Sequence, residues 1–197
     1  MPGTPGRRKG EAMKTVPSVV LLALLAACSG AGHEFHDKEM DFGAVRSVAV
    51  MPFANLTRDN LAGERVRDVF ANMLLASGVV YVQPQGEVLR IISTVGVGLP
   101  TAPSVEEVVK LGKALKADAV ITGVVKEYGE VRSGSASSNI VAVSVQMIET
   151  GTGKTVWYAS STKGGFTFSD RLLGGGGTPI NDVTEAASRD LIHKLFK

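Results

Sequence analysis

The sequence predicts an α/β (α+β) sandwich, a mixed β-sheet of about five strands flanked by three or four helices. Three observations predict it. Residues 47–53 and 119–125 are almost wholly apolar, as in strands buried on both faces. Stretches around 61–74, 105–115 and 183–195 carry apolar residues at three- and four-residue spacing, the helical period. Residues 140–148 alternate, with Val141, Val143, Val145 and Met147 on one face and Ala142, Ser144 and Gln146 on the other. Strands alternating with helices, followed by a run of strands, give a sheet covered by helices.

The elements follow in chain order. Arg7, Arg8, Lys9 and Lys14 form a basic lead, and residues 19–27 form a short apolar run that stops at Cys28. A basic stretch, an apolar stretch and small residues before a break make a secretory signal over residues 1–27. The run is shorter than the ~20 apolar residues that a spanning helix needs. Met13 followed by Lys14 opens a more compact leader and is an alternative start to Met1. Leu25, Ala26, Ala27 and Cys28 resemble the bacterial lipobox. There the small residues fit the signal peptidase, and the cysteine thiol accepts lipid and becomes the first mature residue.

Removing the first 27 of 197 residues leaves 170, the size of one ordinary domain. It also removes four of 21 basic and one of 19 acidic residues, so the remainder carries a net charge of −1. No basic footprint for nucleic acid survives. Cys28 is the only cysteine, so the fold is held by core packing and not by a disulfide.

Residues 28–44 are the lipidated cysteine and a flexible tether, small and polar with little periodicity. His33 and His36, beside Glu34 and Asp37, read as solvated linker residues and not as a metal site. The domain occupies 45–197. After the strand at 47–53 comes a helix with Leu61, Val66, Val69, Phe70, Met73 and Leu74 on its stripe. Asp59 or Asn60 caps that helix and Gly78 ends it. A short strand at 79–82 and a short helix at 86–92 precede a Gly/Pro-rich loop. Ser104 and Glu107 then form a capping box for the next helix.

The strand at 119–125, the alternating strand at 140–148 and a partner at 154–160 make a meander, with a Ser/Gly-rich connection at 133–138 and a tight turn at 149–153. The last helix is capped by Asp182, with Val183, Ala187, Leu191 and Leu195 as its stripe; His193 is a boundary residue.

Gly151-Thr152-Gly153-Lys154-Thr155 contains the Gly-Lys-Thr of a phosphate-binding loop. That motif needs a further glycine where this chain has Ile148, and a strand leading into a helix. Both flanks here read as strands, so the segment is a hairpin turn and no nucleotide is expected. Gly-x-Ser-x-Gly is absent, and Glu127, Glu130 and Glu149 border strands and turns where solubility accounts for them. Asn55-Leu56-Thr57 matches a glycosylation acceptor but reads as loop chemistry. The four glycines 174–177 follow Phe166, Phe168, Leu172 and Leu173. Those four apolar residues are a candidate partner-binding loop, or else a connector whose leucines tuck against the sheet.

Three segments carry a wider resemblance. Residues 48–57 (Val-Ala-Val-Met-Pro-Phe-Ala-Asn-Leu-Thr) are the first. Leu111-Gly112 through Ala117-Asp118-Ala119-Val120-Ile121-Thr122-Gly123 is the second, and Glu149 through Trp157 the third. Together they resemble the periplasmic domain shared by the curli secretion lipoprotein CsgG, the peptidoglycan-synthase activator LpoB and related outer-membrane lipoproteins (TolB N-terminal-like). The resemblance spans roughly 45–157 and implies the fold more than one activity. CsgG-type pores add long amphipathic hairpins, and a membrane strand needs about 9–11 alternating residues; the connections at 133–138 and 164–178 supply no such pair. LpoB-type activators have a long tether, and this one is short.

The expected function is that of a non-enzymatic accessory lipoprotein, lipid-anchored on the periplasmic side of the outer membrane, binding a protein partner in envelope assembly, secretion or export. Ser29 after the cysteine fits the outer-membrane sorting pattern. No cofactor and no metal are expected. The alternatives are a homo-oligomeric CsgG-like channel component and an envelope hydrolase, which would need a clustered acid–base set.

Overall fold

The computed structural model describes residues 1, 3, 34–133, 136–165 and 177–197. Its sheet has seven strands: β1 (Glu34–His36), β2 (Ser47–Val50), β3 (Ala54–Asn55), β4 (Tyr81–Val82), β5 (Ala119–Ser133), β6 (Ala136–Glu149) and β7 (Thr155–Gly164). Four helices accompany them: α1 (Ala62–Ser77), α2 (Gln85–Val95), α3 (Val105–Leu115) and α4 (Ile180–Leu195). The strand order is β1-β7-β6-β5-β2-β4, with β3 pairing on β5 beyond the end of β2. β2 runs parallel to both β4 and β5, while β5, β6, β7 and β1 are antiparallel to their neighbours. This is the mixed α+β sandwich that the periodicities predict.

Each face of the sheet has its own core. On one face, α1 and α4 bring Phe70, Leu74 and Leu191 against Val50, Ile121, Val145 and Trp157. On the other, α2 and α3 bring Val88, Ile91, Val108 and Leu111 against Met51, Val120 and Ile148. Complete burial of such side chains stabilises by about 1.5–3 kcal/mol each, well above the helix propensity of any one residue. Ala49 and Val50, adjacent in β2, are both buried but on opposite faces, which is why that strand is apolar without alternation.

The capping box is present: Ser104 Oγ accepts from Glu107 N, and the Glu107 carboxylate accepts from Ser104 N at 2.7 Å and from Gly98 N at 2.8 Å. These backbone donors hold the Glu107 carboxyl below its ordinary value. Asp59 lies two residues before the cap position and does not cap the helix, its carboxylate accepting from Leu61 N and from Arg65. Leu61 occupies the cap position of α1 without a side-chain bond.

Four expectations change. The last helix begins at Ile180 behind Pro179, so Asp182 lies inside its first turn and does not cap it. Proline fixes φ near the helical value, which suits a helix start. The 140–148 strand begins at Ala136, and the 119–125 strand runs on to Ser133. A bulge between Val125 and Glu127 lets the two continue as one hairpin arm, whose residues pair from Glu127↔Ala142 to Ser133↔Ala136. The face expected to be wet is only partly so, because Ala142 and Ser144 are buried and Gln146 Nε2 donates to Thr122 Oγ1.

The fourth change concerns residues 34–44, the far part of the expected tether. Glu34–His36 pair with β7 in the register Glu34↔Ala159, Phe35↔Tyr158, His36↔Trp157. A short 3₁₀ turn, Phe42–Ala44, follows, and Met40 and Phe42 pack against the first core. Three residues are too few to give a strand period, but the open backbone of β7 supplies their hydrogen bonds.

Candidate functional site

Several residues singled out from the sequence lie outside the described residues. They are the lipidation candidate Cys28, the peptidase-recognition residues Leu25, Ala26 and Ala27, and the loop residues Phe166, Phe168, Leu172 and Leu173. The two feet of the segment that holds the loop residues are described. Gly165 N donates to Asn139 O at 2.9 Å, Ser138 Oγ donates to Gly165 O at 2.6 Å, and Asn139 Nδ2 donates to Thr178 O at 2.8 Å. Both feet are therefore bonded to Asn139 of β6. Gly164 is required there: its φ is +85°, and a Cβ would come 2.0 Å from Asn139 O.

The Gly151–Thr155 segment is the β6–β7 hairpin turn. Gly153 N donates to Glu149 O at 2.8 Å, Glu149 N donates to Lys154 O at 2.9 Å, and Thr152 Oγ1 donates to the Glu149 carboxylate. Gly153 N and Lys154 N are spent within the turn, and both flanks are strands. The phosphate-loop geometry is not formed.

The Ala117–Gly123 motif is structural. The Asp118 carboxylate accepts from Arg46 N at 2.8 Å and Ser47 N at 2.9 Å, fixing the start of β2. Thr150 Oγ1 lies 2.7 Å from Ala117 O and 3.0 Å from Asp118 O, tying the hairpin turn to the start of β5. Shallow depressions flank this junction, one lined by Met40, Val45, Asp118 and Thr150 and the other by Lys113, Lys116, Asp118 and Thr150.

A larger depression of about 490 Å³ lies between the hairpin arm and the loop after β3, with Leu56, Arg58, Tyr128, Glu130, Val131 and Ile140 among its walls. Glu130 is held below its ordinary value by the hydrogen bond from Arg132, and Ser137 adds to this. It is an ionised acid and a poor proton donor. Glu127 lines the same depression from the arm, while Glu149 sits at the hairpin turn. Among the described residues, no group of three or more His, Cys, Asp or Glu side chains is placed to hold a metal ion. No helix among them is long and apolar enough to cross a membrane.

His36 is the residue whose sequence reading changes most. It is half-buried and not fully solvated. Its Nε2 lies 2.9 Å from Glu34 Oε1 and 3.0 Å from Lys194 O, and its ring meets Phe42 and Trp157 edge-on with centroids 5.4 and 6.4 Å away. Two acceptors on one nitrogen place the proton on Nε2. His193 is exposed on α4, as a boundary residue should be. Alongside, Asp190 accepts from Lys194 Nζ at 2.7 Å and faces Lys163 Nζ at 3.4 Å. Partial burial raises its carboxyl, but the bond from Lys194 and the two lysine charges outweigh this and hold it below its ordinary value.

This fold recurs in solved structures. PelC from Paraburkholderia phytofirmans, crystallised as a dodecamer, matches 84% of this chain and 98% of its own at 18% identity and a TM-score of 0.56. Lipoprotein GNA1162 from Neisseria meningitidis matches 75% of this chain and 98% of its own at 19% identity and a TM-score of 0.55. At such identities the likeness speaks for the fold alone. The LpoB C-terminal domain from Salmonella enterica, at 13% identity over 64% of this chain and 86% of its own, reaches a TM-score of 0.47, too low to carry an argument. None of these matches links the chain to CsgG. No curated protein matches the chain at a significant level. The family model described as "Putative lipoprotein GNA1162-like" matches residues 39–174, more than half of the sequence. The chain belongs to that GNA1162-like family.

Proposed function

We propose that this protein is an accessory lipoprotein of the bacterial envelope, lipidated on Cys28 and held on the periplasmic side of the outer membrane. There its domain binds a protein partner in envelope assembly, secretion or export. Membership of a lipoprotein family supports this reading, because the family match begins at residue 39, soon after the Leu25–Cys28 lipobox. A multiply acylated cysteine makes attachment lasting, where a single chain binds only marginally. The binding role is a reading of the domain's surfaces, among them the hairpin arm and its depression.

A second reading, self-assembly into a homo-oligomer, is favoured by one observation: the PelC of similar fold crystallises as a dodecamer. Cross-linking in intact cells separates the two. A ring-sized ladder of this chain alone supports self-assembly, and a heterologous adduct supports the partner reading. For the anchor, Cys28→Ser abolishes incorporation of labelled fatty acid and leaves the protein unprocessed or released. Unchanged membrane attachment of the variant would sink the proposal.

A further inference from the structure

The stretch after Cys28 is short, and docking of β1 makes it shorter still. We infer that β1 is a latch that presents the β1–β7 edge of the sheet, with Phe35, to the lipid surface and turns the β4 edge away from it. This rests on the reading that Cys28 carries the lipid.

Reach limits how the domain can sit. Five residues, 29–33, separate Cys28 from Glu34 in the sequence. A fully extended chain gains at most ~3.3–3.6 Å per residue, so Glu34 stays within about 20 Å of the acylated cysteine. With β1 and the 3₁₀ turn free, the first fixed residue would be Ser47, and the same rule would allow about 65 Å. Docking thus removes roughly two thirds of the reach. A strand spacing of ~4.7–4.9 Å puts the β4 edge about 24 Å from β1 across five strand gaps. The leash is no longer than that distance, so the β1–β7 edge lies nearer the bilayer than β4 while β1 stays docked.

Backbone pairing continues past β1, with Asp37 N donating to Val156 O at 2.8 Å. His36 joins the strand to the end of α4 through Lys194 O and packs edge-on against the fully buried Trp157. Met40 and Phe42, partly buried, then pack against the core. The segment is stitched to the domain by backbone, ring and apolar contacts together.

Phe35, opposite Tyr158 in the register, is 49% exposed, a large apolar side chain on the strand nearest the anchor. Aromatic side chains with one wet side suit a membrane interface.

The experiment uses the full-length lipidated protein in phosphatidylethanolamine/phosphatidylglycerol vesicles. The only native cysteine is acylated, so a fluorophore goes on one engineered thiol, at exposed Thr162 of β7 (Thr162→Cys) or at exposed Val79 beside β4 (Val79→Cys). Headgroup spin-labelled lipid then quenches the probe. The expected result is several-fold stronger quenching at position 162 than at 79. A Gly/Ser insertion between Ser29 and His33, which leaves the domain untouched, reduces that contrast. Equal quenching in the native-length protein overturns the latch, and so does a contrast that survives the insertion. Intact mass and vesicle flotation are read separately. A protein without acyl mass overturns the anchoring reading, whereas an acylated protein with equal quenching overturns only the latch.

Discussion

Gly112 of α3 and Thr150 of the hairpin turn are in such close contact that a Cβ on the glycine would lie 2.2 Å from Thr150 Cβ. The helix rests directly on the turn, and the absent side chain is what lets it. Thr150 spends its hydroxyl on Ala117 O and Asp118 O, so it cannot move aside without breaking those bonds.

Gly112→Ala is therefore expected to destabilise, although alanine is the better helix former. Helix propensity favours the substitution by about 1 kcal/mol, and overpacking opposes it by about 1–3 kcal/mol or more at this distance. Chemical denaturation should show a lower midpoint with an unchanged slope. A midpoint at or above the wild-type value would show that the turn can yield.

Asp118 makes a second, separable prediction. Asp118→Ala leaves Arg46 N and Ser47 N without their acceptor, at a cost of about 1 kcal/mol, near the low end for unpaired donors because the site is exposed to water. Asp118→Asn keeps one acceptor oxygen and should cost less. Thermal melts of the two variants rank them, and equal losses would mean that the charge and not the acceptor matters.

Asp190 carries a pH dependence. Its folded carboxyl is held below its unfolded value, so its contribution is fully present above the unfolded value and is lost as pH falls through the folded one. Wild type should exceed Asp190→Asn in Tm at neutral pH, and the gap should close as pH falls below the ordinary carboxylate range, about 4. A gap that widens in acid would reverse the assignment.

The sequence discloses some of these relationships and hides others for physical reasons. The Ser104–Glu107 capping box, the apolar central strands, the 149–153 turn and most of the α1 and α3 stripes were legible, since each depends on neighbours within a few residues; Leu61 and Val105, at the heads of those stripes, are exposed instead. The docking of His36 was not, because its partners, Trp157 and Lys194, lie more than a hundred residues away. The hairpin arm escaped for a similar reason. Lys126–Ser133 is charged and aperiodic on its own, and becomes a strand because Ala136–Val141 offers a matching edge. The partial burial around Ser144 depends on cross-strand neighbours such as Tyr158, whose hydroxyl donates to it at 3.2 Å.

By itself, then, the sequence determined the sandwich class, the four helices and the turns. Local periodicity, capping and turn chemistry suffice for those. Tertiary structure alone decided that residues 34–44 belong to the domain, that two distant strands run on into one arm, and that two cores lie on opposite faces of a single sheet. Each of those outcomes is a pairing between segments far apart in the chain, where backbone hydrogen bonds and buried apolar surface are settled only once both partners are in place.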